Sequence, residues 1–151
     1  MYEEHQQLQV LWGSSWDELF ASDSHGLLAA RLDSLVDGDE QRIMTADGAT
    51  IRKDLFNSES LQALVAHLSD DELVDLCADV GGHDFLKLHA AYAQATAHKG
   101  QPTVVLMRTI KGYGLGPAFA GRNTTHQKKK ADTESMQHCH EYLRLPFSYD
   151  D

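Results

Sequence analysis

The chain has 151 residues, 42% of them hydrophobic and 24% charged, with a formal net charge of −10. This composition excludes wholesale disorder and a collagen-like chain, two cysteines exclude a disulfide scaffold, and the longest apolar runs fall far short of the roughly 20 residues of a spanning helix. The acid excess disfavours nucleic acid or an anionic membrane as main partner, and the start Met1-Tyr2-Glu3-Glu4-His5 lacks the basic-then-apolar order of a signal peptide, so a soluble, cytoplasmic protein is expected.

Residues 8–12 predict a short strand stopped by Gly13. Ser15 and Glu18 predict a capping box that opens a short helix through Leu19 and Phe20. Leu27, Leu28, Arg31, Leu32, Leu35 and Val36 recur at helical spacing, and Asp37-Gly38 is expected to stop that helix. Residues 39–56 are polar with a break at Gly48, which fits two short helices or a helix and a loop. Leu61, Leu64, Val65 and Leu68 form the next apolar stripe. Ser69 and Glu72 predict a second capping box, with a helix through Leu73, Val74 and Leu76. Val80-Gly81-Gly82-His83-Asp84 breaks the chain. Phe85, Leu88, His89 and Tyr92 then share one face of a helix reaching about His98, closed by Gly100 and Pro102. Residues 103–110 predict the best strand, followed at once by the loop Lys111-Gly112-Tyr113-Gly114-Leu115-Gly116-Pro117. A last helix, capped by Asp132 or Thr133, should end near Leu145, before Pro146.

This order predicts an α/β fold with a parallel sheet and flanking helices. Only two strands are clear, and independent stability usually needs three or more. The chain is therefore expected to be part of a larger sheet domain.

Charge is segregated along the chain. Between residues 85 and 131 there is no Asp or Glu, whereas Lys87, Lys99, Arg108, Lys111, Arg122, Lys128, Lys129 and Lys130 all lie there. That segment carries +8 and the rest −18. Either it forms a solvated basic face or it cradles an anion. The glycine loop it contains favours the cradle. Its position after a strand is where ligands bind in open α/β sheets, although such a loop is also an ordinary turn. Its spacing is neither GxGxxG nor GxxxxGK[ST], so neither nucleotide-binding fingerprint is present. His126, in a polar segment ahead of three lysines, is either a surface histidine or a proton-handling one. His138-Cys139-His140 point about 100° apart on a helix and cannot hold one metal ion. Cys77 reads as a small core residue.

Several motifs in one order carry a resemblance. Leu11-Trp12-Gly13 with Trp16-Asp17-Glu18-Leu19-Phe20 resembles the homodimeric-type pyruvate dehydrogenase E1 family. So do Val36-Asp37-Gly38-Asp39, Asp47-Gly48-Ala49 with Ile51-Arg52, and Gly81-Gly82-His83-Asp84. The strongest match is Thr109-Ile110-Lys111-Gly112-Tyr113-Gly114-Leu115-Gly116, then Gly121-Arg122-Asn123 and His126-Gln127-Lys128-Lys129. The resemblance runs from about Val10 to the C-terminus. It implies a transketolase-like fold whose first domain binds the diphosphate of thiamine diphosphate, with residues 1–151 the later part of that domain. It implies decarboxylation of pyruvate and acetyl transfer to lipoyl-E2, in a homodimer that needs Mg²⁺. Lys111, Gly112 and Gly114 are then the expected cofactor-binding residues, and His126 the catalytic residue for transfer. Residues 117–128 correspond to a mobile active-centre loop with few apolar anchors, in which Pro117, Phe119 and Ala120 depart from the family's acidic residues.

The family's Gly-Asp-Gly motif does not occur in this sequence, and Asp37-Gly38-Asp39 has the wrong context for it. The resemblance places that motif and the main Mg²⁺ ligands upstream of Met1, and the glutamate that activates the aminopyrimidine beyond Asp151. The chain by itself is accordingly expected to be an incomplete, inactive piece of the subunit. Two other functions remain open: a truncated paralogue serving as a binding or assembly module, and an anion-binding domain. Nucleic acid fits poorly, because Phe85, Tyr92, Tyr113 and Phe119 are not spaced as a stacking platform.

Overall fold

A computed structural model describes residues 5–149. The start at Met1-Tyr2-Glu3-Glu4 lies outside the described residues. The chain divides into two compact units, Met1–Thr109 and Ile110–Asp151.

The first unit pairs two strands, β1 (Gln6–Val10) and β2 (Thr103–Met107), in parallel, with Gln6 opposite Thr103 and Val10 opposite Met107. The α/β architecture and the parallel pairing are as the sequence predicts. Both strands stop earlier than expected. At Leu11 and Trp12 the chain leaves the ladder: Trp12 bridges antiparallel to Val80, and the Gly81 N–H donates to the Leu11 carbonyl. The strand propensity of Trp12 is real, but a different partner takes it.

Between the strands lie seven helices among the described residues: α1 (Asp17–Ser22), α2 (Leu27–Asp33), α3 (Asp37–Met44), α4 (Gly48–Asp54), α5 (Glu59–Leu64), α6 (Asp70–Ala78) and α7 (Phe85–Ala97). The predicted Ser15–Glu18 capping box does not form. A 3-10 turn at Ser14–Trp16 precedes α1 instead. Asp79 accepts from the Ser15 N–H at 2.9 Å, and Asp84 accepts from the Ser14 N–H at 2.8 Å. Carboxylates from distant sequence thus supply the caps, and the local box is redundant. Ser69 and Glu72 do form the second box at the start of α6.

Asp37-Gly38 opens α3 rather than ending α2. Asp37, Asp39 and Glu40 crowd its first turn, where negative charge complements the helix dipole. That offsets the cost of about 1 kcal/mol for one helical glycine. Of the two options for residues 39–56, two short helices are observed. Gly48 is not a break but the first residue of α4, behind the Asp47 cap. A Cβ there would lie 2.1 Å from the Asp70 carbonyl oxygen, so Gly48 lets α4 and α6 touch backbone to backbone.

The core lies among α1–α6. Trp16, Leu28, Ile51, Leu55, Phe56, Val65 and Leu73 are its most deeply buried side chains. Cys77 joins them, as expected. Burial pushes its thiol up to about 12, against the opposing pull of the Arg108 guanidinium.

α7 departs most from its predicted packing. It lies against β1 and β2, yet Ala91 is its buried residue, while Phe85 is 85% exposed and Leu86 and Tyr92 are also exposed. The small alanine allows the helix to approach the sheet; the aromatic residues flank that contact instead of entering it. Alongside runs a groove of about 490 Å³, lined by Leu8, Val10, Phe20, Lys87, Ala91 and Gln94 among others. Val104 and Leu106 of β2 are exposed as well. Among the described residues no helix is long and apolar enough to cross a membrane.

Candidate functional site

The motif Gly81-Gly82-His83-Asp84 joins the carboxyl ends of both strands. A Cβ on Gly81 would lie 2.7 Å from the carbonyl of Val10, the last residue of β1. A Cβ on Gly82 would lie 2.3 Å from the Arg108 carbonyl, just past β2. The Gly82 N–H donates to that same carbonyl at 2.8 Å. Two side chains here would push the strand ends apart, so both glycines are set by close approach.

Asp84 ends the motif and serves two elements. One oxygen accepts from the Leu86 and Lys87 N–H groups at 3.0 Å, capping α7. The other accepts from the N–H and the hydroxyl of Ser14. Lys87 reaches back to the same turn and donates to the Trp12 and Gly13 carbonyls and to Asp17 at 2.6 Å. Partial burial works to raise the Asp84 pKa, but the bonds from Ser14, Lys87 and Leu86 outweigh it and hold the carboxyl below its ordinary 3.8. A depressed folded-state pKa gives stability that is present above the unfolded value and is lost as pH falls through the folded one. Asp84→Asn is therefore expected to lower the denaturation midpoint at neutral pH. The deficit should shrink as pH falls through the folded-state pKa, where the wild-type carboxylate is also protonated. Urea midpoints of both proteins across that range test this; a deficit independent of pH would show that charge at Asp84 contributes nothing.

Two cations of the basic segment are paired within the first unit. Lys87 pairs with Asp17, and Arg108 lies 3.4 Å from Glu40 with its guanidinium 4.4 Å over the Trp12 ring. Acidic residues from outside the segment thus offset two of its eight cations.

The second unit holds the other candidate residues. Lys111 opens the glycine loop, and its side chain is exposed. Gly112, Gly114 and Gly116 all have positive φ, at 72°, 79° and 81°. These values suit glycine and produce consecutive turns: the Tyr113 N–H donates to Ile110 and the Leu115 N–H to Gly112. The space beside each glycine is filled by this unit itself. A Cβ on Gly112 would meet the Phe119 carbonyl oxygen at 2.9 Å, one on Gly114 the Tyr142 ring at 3.2 Å, and one on Gly116 the His138 ring at 3.1 Å. Tyr142 and His138 belong to α8 (Thr133–Tyr142), capped by Asp132. The Tyr113 and Tyr142 rings meet edge to face, and their hydroxyls are hydrogen-bonded.

Apolar anchors in residues 117–128 are few, as expected, and Phe119 is the one that is buried. Phe119 is only 4% exposed. The Gly121 N–H donates to the Lys111 carbonyl at 3.0 Å, closing the loop on its first residue. Past Arg122, a 3-10 turn at Asn123–His126 leaves the His126 imidazole exposed. Among the described residues no side-chain hydrogen bond joins His126 to Lys111. His140 Nε2–H donates to the Phe147 carbonyl, and His138 packs against Gly116, so these neighbours on α8 face different surroundings. Sequence reasoning missed Phe119, His138 and Tyr142 as partners of the glycines. No local pattern marks them, because their roles depend on the loop and α8 folding together.

The profile of the family described as transketolase, thiamine diphosphate binding domain, matches residues 39–143. The chain is 44% identical over 143 residues to the pyruvate dehydrogenase E1 component of Cupriavidus necator, covering 95% of this chain and 16% of that protein. It is 45% identical over 142 residues to the corresponding protein of Mycolicibacterium smegmatis, covering 93% of this chain and 15% of that one. It is 40% identical over 142 residues to that of Escherichia coli K12, covering 93% and 16%. The chain thus spans 15–16% of the length of these relatives. With the parallel two-stranded sheet and the glycine loop that follows it, this match establishes that the chain belongs to the transketolase thiamine diphosphate binding domain family.

Proposed function

We propose that the chain is the later part of the diphosphate-binding domain of a pyruvate dehydrogenase E1 subunit. In that reading the subunit works as a cytoplasmic homodimer, decarboxylates pyruvate and passes the acetyl group to lipoyl groups of an E2 partner. The observation that carries it is similarity along more than nine-tenths of the chain to proteins named pyruvate dehydrogenase E1 component. The two-stranded sheet and the exposed Phe85, Leu86, Val104 and Leu106 support a place within a larger body.

The residues present fit the diphosphate end of the cofactor. Lys111 is exposed, no carboxylate pairs with it among the described residues, and no acidic residue lies between 85 and 131. Its charge is thus available to an anion. Gly112 and Gly114 keep the main chain in the tight turns that hold Lys111 at the mouth of the loop. The main Mg²⁺ ligands belong, in this reading, to parts of the subunit outside this chain. Thiamine diphosphate, when bound, supplies the electron sink that decarboxylation requires. Lys111 places positive charge beside it, and His126 holds or gives a proton during acetyl transfer.

The test is a pyruvate-dependent assay with thiamine diphosphate, Mg²⁺ and an artificial electron acceptor. A subunit that contains this chain should turn over pyruvate, and the 151-residue chain alone should not. An inactive subunit would overturn the proposed reaction. Turnover by the 151 residues alone would overturn their place as a part of something larger.

A further inference from the structure

We propose that residues 13–79 are a folding unit of their own, inserted between β1 and the Gly81-Gly82-His83-Asp84 motif, that keeps its structure when the two-stranded sheet opens. The apolar packing is divided accordingly. Every residue of the helical core, from Trp16 to Cys77, belongs to this stretch, and of the side chains packed against that core only Trp12 precedes it, by one position. In β1, α7 and β2 the buried apolar residues are Val10 and Ala91 alone. The hydrophobic drive to fold scales with the apolar area removed from water. The helices therefore hold their own share of it, and the strands hold little.

The chain enters and leaves the unit at one neck. The Gly13 N–H donates to the Asp79 carbonyl at 3.1 Å, Trp12 bridges antiparallel to Val80, and the Gly81 N–H donates to the Leu11 carbonyl at 3.0 Å. The Asp79 carboxylate accepts from the Ser15 N–H, joining the two ends a second time. Ends that lie close together are what let one domain be inserted into another, and about 60 residues with a core of their own can fold alone. Polar side chains tie the unit to its surroundings: Lys87 reaches Asp17, Asp84 accepts from Ser14, and Arg108 approaches Glu40. The side chains of Asp17 and Glu40 are 61% and 39% exposed, and ion pairs in contact with solvent add little to stability. These ties dock the unit, and its own core folds it. Lys111, Gly112, Gly114 and His126 all lie outside it, so its folding is independent of the reaction assigned above.

Amide hydrogen exchange of the 151-residue chain at rising urea tests this. The Gln6 and Arg108 N–H groups donate across the strands to the Pro102 and Val10 carbonyls, and the Leu55 and Leu73 N–H groups donate within the helical unit. The first pair should open at lower urea than the second. Opening of all four amides in one step would overturn the proposal. Leu8 lies opposite Val105, in phase with Gln6 and Val10, so its backbone groups face β2, and Leu8→Pro removes a donor from the ladder. In that variant the Arg108 amide should exchange at least about tenfold faster, while Leu55 and Leu73 stay within about threefold of the wild type, as separate cooperative units do. Loss of protection at Leu55 and Leu73 in Leu8→Pro would overturn the proposal too. Phe56, fully buried in the core, supplies the converse: Phe56→Ala should expose the Leu55 and Leu73 amides to exchange, and unchanged rates there would show that this core does not hold the unit. Should Leu8→Pro leave the Arg108 amide protected, the wild-type urea series decides.

Discussion

His126→Ala, introduced into a subunit that contains this chain, is expected to depress acetylation of lipoyl groups by about 10²–10⁴-fold, the usual effect of removing one acid–base group from the step it serves. Pyruvate decarboxylation followed with an artificial electron acceptor should stay near the wild-type rate. The difference follows from the placement of the residue. The imidazole is exposed at the end of a 3-10 turn and is bonded to no part of the glycine loop among the described residues. It can therefore serve a step that occurs at the mouth of the site without supporting the steps before it. Lys111 differs. It lies at the foot of the glycine loop, and its carbonyl receives the Gly121 N–H. In the proposed reading, charge held there acts on every step that uses the bound cofactor, so Lys111→Ala should depress both assays together. Equal losses in the two assays for His126→Ala would remove the assigned role.

Trp16→Ala should be the most damaging single change in the helical core. The indole is 1% exposed. Its Nε1–H donates to the Leu76 carbonyl at 2.8 Å. Its ring lies 4.7 Å from that of Trp12 and 6.1 Å from that of Phe20, between centroids. Truncating a buried aromatic residue costs about 3–5 kcal/mol through lost transfer energy and the cavity left behind. The Leu76 carbonyl loses the indole bond as well and keeps only that from the Asp79 N–H at 3.1 Å. Trp16→Phe keeps most of the ring and should cost much less. Equilibrium denaturation of the three proteins distinguishes these outcomes; a loss below about 1 kcal/mol for Trp16→Ala would mean that the site collapses around the gap.

The elements legible in the sequence were those whose causes are local. The Ser69–Glu72 box, the Asp132 cap, the two strands and the end of α7 depend on residues within a turn of each other, and each forms. Expectations failed where a distant residue competed. Asp79 and Asp84 displaced the Ser15–Glu18 box from more than sixty positions away. Val80 drew Trp12 out of the sheet. The glycines were visible as glycines, but not what lies against them. Gly48 reads as a break until Asp70 is seen beside it, and Gly112 as an open turn until Phe119 is seen. For the candidate site, Lys111 and His126 stand out through the family resemblance, since residue type alone marks His126 as no more than a surface histidine. Phe119 stands out in the sequence only as a departure from the family pattern, and its packing depends on residues six and nine positions further on, Thr125 and Lys128.

The pairing of Gln6 with Thr103 spans 97 positions of chain, and this separation orders events during synthesis. A ribosome adds about 5–20 residues per second, so β1 emerges several seconds before the strand that completes it. Throughout that interval β2, its ladder partner among the described residues, has not yet been made. The helices from α1 to α6 emerge in the meantime and can bury Trp16, Leu28, Phe56 and Leu73 among themselves. This pair of strands therefore closes after the helices between them have been made, and the wait exposes a nascent strand to premature association.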